Sequence, residues 1–151
     1  MRHYSGVDDL QAAIGQPALV SDWLVIDQER ISAFADATND HQWIHVDALR
    51  AASGPFHGTI AHGYLTLSLI SSFLFDVATF DGDVTIINYG LDKVRFPTPV
   101  PVDSRVRAHV EVTDVALTPQ GARLSQRVTI EIDGVEKPAV VAETLSLIIF
   151  T

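Results

Sequence analysis
The chain has 151 residues, 47% hydrophobic and 19% charged, with no cysteine and a formal net charge of −9. Such a composition belongs to a globular folder and excludes a disordered chain, a disulfide scaffold, a thiol nucleophile and a thiolate zinc site. The negative charge argues against a nucleic-acid partner, so any anionic ligand must be met by a local cluster of positive groups.

In chain order, "VDDLQAAIG" (Val7 to Gly15) predicts a short helix, with acidic residues early and a glycine stop. "LVSDWLVI" reads as one strand. "DQERISAFADAT" predicts a helix with Asp27 as N-cap and Ile31, Phe34 and Ala35 at helical spacing. "HVDALRAAS" predicts a short helix that Gly54-Pro55 ends. "GTIAHGYLTLSLISSFLFDV" is apolar on nearly every face, as in a helix packed on most sides. Its polar residues, His62, Thr66, Ser68, Ser71, Ser72 and Asp76, make it unsuited to crossing a membrane.

Strand periodicity follows. "TIINYGLDKVRF" predicts a strand, closed by the proline-rich "PTPVPVDS" loop. "RVRAHVEV" puts Val106, Ala108, Val110 and Val112 on one face, and "RLSQRVTIEI" alternates likewise except at Gln126. Asp133-Gly134 is a hairpin-type turn, and "AVVAETLSLIIF" is apolar enough for a central strand. These elements predict an α+β fold in one domain, residues 1–151, with four late strands in a meander against one long helix. One sheet leaves that helix incompletely covered, so a homodimer is expected. The start of the chain has no charged-then-apolar leader, from which a cytoplasmic location is expected.

"NDHQWIHVD" (Asn39 to Asp47) concentrates carboxylates and imidazoles in an otherwise weakly charged chain. Asp40 and His45 are five apart through an extended or turning link. A carboxylate accepts a proton and a neutral imidazole both accepts and donates, so the pair can hold one water and shuttle its proton. The alternative is that Asp40 caps a helix start, with both side chains solvated. His41 and His45 have a spacing that holds zinc on a helix, but no third ligand is apparent, and no metal is expected. In "IAHGYL", Gly63 in a first helical turn lets a ligand approach the backbone, where free N–H groups suit a carbonyl oxygen gaining negative charge. Close helix–sheet packing would use a glycine equally well. His62 reads as a structural histidine.

"FADATNDHQWIHVD" followed by "GPFHGTIAHGYLTLSLISSFL" resembles the MaoC-like dehydratase and (R)-specific enoyl-CoA hydratase family, which has the hot-dog fold, a long central helix wrapped by an antiparallel sheet. The family's Asp, the His five on, an Asp two further and the A-H-G helix opening correspond to Asp40, His45, Asp47 and Ala61-His62-Gly63. "VRFPTPVPVDSRVRAHVEV" is similar to the family's later segment. Where the family often has Gly before the Asp and Asn-Pro between the pair, this chain has Asn39 and Gln42-Trp43, which bears on loop geometry and substrate preference. The resemblance implies that Asp40 and His45 activate a water that adds to the β-carbon of a trans-2-enoyl thioester. It further implies that the Gly63 N–H polarises the thioester carbonyl and that Ser71 supports the aspartate. The substrate would be an acyl-CoA thioester with no other cofactor, and Lys93, Arg95 and Arg50 would meet the CoA phosphates. A hot-dog thioesterase and a non-catalytic acyl-CoA-binding subunit are the alternatives.

Overall fold
The computed structural model describes residues 1–150. Its elements are β1 (Arg2–Tyr4), α1 (Val7–Ala12), β2 (Leu19–Val20), β3 (Leu24–Ile26), α2 (Gln28–Thr38), α3 (Trp43–Val46) and α4 (Ala48–Ala52). They continue with α5 (Gly63–Ser68), α6 (Ile70–Val77), β4 (Ala78–Phe80), β5 (Val84–Arg95), β6 (Ser104–Thr118), β7 (Gly121–Ile132) and β8 (Val140–Phe150).

The alternation seen in the sequence becomes one buried sheet face. Val106, Ala108, Val110 and Val112 on β6 are all buried, as are Leu124, Val128, Ile130 and Ile132 on β7. Against this face lie Leu65, Leu69 and Phe73, spaced four apart so that successive helical turns meet the sheet on one side. Phe73 is 1% exposed, and burial of such a side chain is worth about 1.5–3 kcal/mol. The long helix is split at Leu69 into α5 and α6. It is not packed on most sides: Tyr64 and Phe75 are 70% and 66% exposed, because a single sheet covers only one face. No helix of the described residues is long and apolar enough to cross a membrane.

Two expectations about strands need correction. β6, β7 and β8 form an antiparallel meander, but β5 pairs with β8 at the far edge, giving the order β2-β6-β7-β8-β5. Periodicity identifies a strand and its buried face, but contains nothing about which strand lies beside it. The segment 96–103 carries the chain back across to β6, passing beneath the start of α5. Its backbone is fastened there: the Ala61 N–H donates to the Val100 carbonyl, Val102 to Thr59 and Asp103 to Ile26. The second correction is that "LVSDWLVI" forms two short strands, β2 and β3, both paired with β6. At the break the Ser21 hydroxyl replaces a strand carbonyl, accepting from the Ala108 N–H at 2.9 Å. A parallel pair, β1 with β4, was not expected and is too short to leave a periodic trace.

Candidate active site
Helix α2 brings the chain to the motif. Asp27 caps it, accepting from the Arg30 N–H at 2.8 Å, and Asn39 ends it with a left-handed φ of 57°. This turn swings Asp40 to the surface. Its carboxylate is exposed and receives a long contact from the Gln42 N–H at 3.4 Å. The carboxylate is thus less withdrawn from water than a hidden base would be. The link to His45 is partly helical, since α3 starts at Trp43. Asp47 then ends α3 and caps α4, accepting from the Arg50 N–H at 3.0 Å.

His45 is buried, and its ring is fixed at one nitrogen. Nδ1 lies 2.7 Å from the Ile60 carbonyl, which can only accept, so Nδ1 carries the proton and Nε2 of the neutral ring is a bare acceptor. Burial holds the His45 pKa below 6.5, and the neighbouring His62 pushes in the same direction; the Ile60 bond and Asp40 oppose them without prevailing. A neutral imidazole with an open lone pair is the form that can take a proton from water.

The backbone under His45 is held by residues that the sequence did not single out. Gln28 Nε2 donates to the His45 carbonyl at 2.8 Å, and the buried Thr59 hydroxyl donates to Gln28 Oε1 at 2.6 Å. Gln28 follows the Asp27 cap, where any polar residue would look like part of a helix start. Trp43 is wedged between the Arg50 guanidinium, 4.4 Å from its ring centre, and Gly54, where an added Cβ would meet the ring at 2.9 Å.

His62, expected to be structural, belongs to the same group. One ring nitrogen from each of His45 and His62 and an Asp40 carboxylate oxygen all lie within 4.8 Å of one another. By proximity these three could hold a metal ion. However, an imidazole binds metal close to its ring plane at about 2.0–2.1 Å. The two rings are stacked 3.7 Å apart at 22°, and such planes do not converge on one ion that near to both. His41 is no substitute, because it faces outward to Asp36 at 2.8 Å.

A cleft of about 340 Å³ opens beside His45. Its walls include Ile60, Gly63, Thr66, Phe96 and Val100, so the crossing loop and the start of α5 form two sides. Gly63 is the first residue of α5, where helix geometry leaves N–H groups without intrahelical partners. An added Cβ there would press on the Phe96 ring at 3.2 Å, so close packing favours the glycine.

Ser71 does not join the group. At about 1.5 Å of rise per residue it is carried roughly 12 Å along the helix from Gly63. Its hydroxyl accepts from Asn88 Nδ2 at 3.4 Å and lines a separate groove between α6 and the β5–β8 edge. Among the basic residues, Lys93 faces Glu143 at 3.8 Å and Arg50 covers Trp43. Arg95 Nη1 donates to the Val94 carbonyl at 2.7 Å, and the residue stands next to the cleft wall at Phe96.

Residues 9–132 match the MaoC-like domain. The chain belongs to the MaoC-like domain family. Among relatives of this MaoC-like protein is the 3-hydroxyacyl-thioester dehydratase Z of Mycobacterium tuberculosis, 50% identical over 146 residues, covering 96% of this chain and 97% of the relative. Nodulation protein N of Rhizobium leguminosarum bv. viciae is 42% identical, with 98% and 94% covered. An (R)-hydratase from A. caviae involved in PHA biosynthesis superposes with a TM-score of 0.70 at 28% identity, over 87% of this chain and 95% of that one. The α+β sheet-and-helix architecture of this MaoC-like chain is the hot-dog fold.

Proposed function
We propose that the protein is an (R)-specific enoyl-thioester hydratase and 3-hydroxyacyl-thioester dehydratase, a hydro-lyase acting on acyl-CoA. The observation that carries this reading is the open Nε2 of a neutral, buried His45 at the wall of a cleft, beside the Asp40 carboxylate. The relatives named dehydratase and hydratase support it. In hydration, Asp40 and His45 hold one water between acceptors, and its oxygen forms the bond to the β-carbon as an O–H bond breaks. The released proton ends on the α-carbon, completing addition across the double bond. As electron density moves to the thioester oxygen, the Gly63 N–H stabilises the enolate. Dehydration runs through the same groups in reverse. The stacked ring planes support a reaction without metal.

A homodimer is part of this proposal, because Tyr64 and Phe75 on the helix and Ile87, Tyr89 and Leu91 on edge strand β5 are exposed together. Light scattering should give twice the 16.5 kDa chain mass. The activity test follows loss of enoyl-thioester absorbance on adding crotonyl-CoA, with and without chelator, beside a free-thiol assay. Hydration unaffected by chelator is expected. Release of free CoA thiol instead would make the protein a thioesterase.

A further inference from the structure
We infer that His62 is a positioning residue that locks Asp40, His45 and the Gly63 N–H into one rigid unit, an inference that rests on the hydration reading above. The His62 Nε2 lies 2.9 Å from the backbone carbonyl of Asp40, so it carries a proton and donates. One face stacks on His45 at 3.7 Å, and on α2 the Phe34 ring sits 5.1 Å away, tilted. Its own backbone forms the N-cap of α5 and is covalently joined to Gly63. A single side chain therefore spans the loop that bears the carboxylate, the ring that bears the open lone pair and the peptide that offers the N–H.

The remaining nitrogen makes the arrangement informative. With the proton on Nε2, Nδ1 is a bare acceptor, and it is buried with no hydrogen-bond partner among the described residues. An unpaired buried polar atom is unfavourable, and a side chain that only filled space here would have no reason to incur that. Leucine or phenylalanine could fill the volume. Only a planar group with a donor at the reach of Nε2 both stacks on His45 and holds the Asp40 carbonyl. The ring also acts on its neighbour electrostatically. The titratable groups facing His45 are His62, which lowers its pKa, and Asp40, which raises it.

Two substitutions separate these contributions. His62→Phe keeps a ring for stacking but removes the donor, and His62→Gln keeps a donor at similar reach but removes the ring. With crotonyl-CoA, His62→Phe should lower kcat by about 10- to 100-fold with little change in KM, because misplacement of reacting groups costs rate more than binding. His62→Gln should recover part of that loss, and in both variants the acid limb of kcat/KM should move to higher pH. Long-range proton–nitrogen NMR of the wild-type protein should show His45 protonated on Nδ1 and His62 on Nε2. Unchanged kcat and acid limb in His62→Phe would overturn the inference, as would a His62 ring protonated on Nδ1 alone. Wild-type protein that hydrates no enoyl thioester would refute the functional reading instead, and the NMR tautomers would still decide the arrangement.

Discussion
The molecule contains two clusters of carboxylate and imidazole, and they are built on opposite terms. On the outer face of the sheet, Glu131 meets Arg107 at 3.1 Å and bonds His109 through its other oxygen, while Arg107 lies over Trp23 at 4.4 Å. Burial alone would raise the Glu131 pKa, but the hydrogen bonds from His109 and Arg107 outweigh it and hold the carboxyl below its ordinary value. Both carboxylate oxygens are engaged. At the cleft, by contrast, His62 donates only to the Asp40 backbone carbonyl, and the Asp40 carboxylate, His45 Nε2 and His62 Nδ1 receive no proton from one another. In the outer cluster both carboxylate acceptors are filled and the one unpaired buried atom is a donor, Arg107 Nε, whereas spare acceptors at the cleft suit a partner that brings protons, such as a water or a substrate hydroxyl.

Neutralising each cluster in turn should separate their roles. Asp40→Asn and His45→Gln should each lower turnover by about a hundred- to ten-thousandfold while leaving thermal stability nearly intact. Because both act on one water, the double variant should be far from additive. Glu131→Gln should do the reverse, costing about 1 kcal/mol or less in denaturant unfolding with turnover unchanged. Equal turnover losses in the two clusters would remove the distinction.

The next largest effect is on pH. The proposed reaction needs His45 neutral, and its pKa lies below 6.5, chiefly through burial. The kcat/KM profile should therefore stay level as pH falls through 6.5 and then drop, about tenfold per unit once the folded pKa is passed. Stability moves with the same sign. Below the unfolded value of 6.5 the unfolded chain binds a proton that folded His45 refuses, so His45 contributes a loss of stability as pH falls from there towards the folded pKa. A profile whose acid limb begins above 6.5 would contradict a desolvated ring.

Gly54→Ala tests the support under the motif. The new methyl would meet the Trp43 ring at 2.9 Å, and Trp43 lies on the same short helix as His45. Overpacking of this kind costs about 1–3 kcal/mol, read as a lower unfolding midpoint. The smallest effect is expected for Arg95→Glu, the charge reversal nearest the cleft. It should raise KM for CoA substrates by about three- to tenfold and spare kcat, in line with a single exposed phosphate contact. No change in KM would leave Arg95 as a solvated surface residue.

Legibility in the sequence followed the range of the interaction. The Asp27 cap, the alternation on β6 and β7 and the nearness of Asp40 to His45 are all written within a few neighbouring positions. What could not be read depended on distant partners. Pairing of β5 with β8 joins residues as far apart as Val84 and Phe150. The role of His62 depends on a ring 17 positions away in sequence reaching stacking distance, and the support from Gln28 depends on Thr59. The role expected of Ser71 is implied by resemblance alone, and its surroundings depend on which sheet edge its helix faces.

The placement of β8 between β7 and β5 also orders events during folding. β6 and β7 form a local hairpin whose ends are close in sequence, so it can close early. β5 is made before that hairpin, yet among the described residues its sheet partner is the last strand of the series, so it must wait through the synthesis of β6 and β7. The loop 96–103 hangs from β5 and forms one wall of the cleft. The residues proposed to carry the chemistry are thus among the first made, and the last residue of the cleft wall, Ala139, comes into place only at the start of β8.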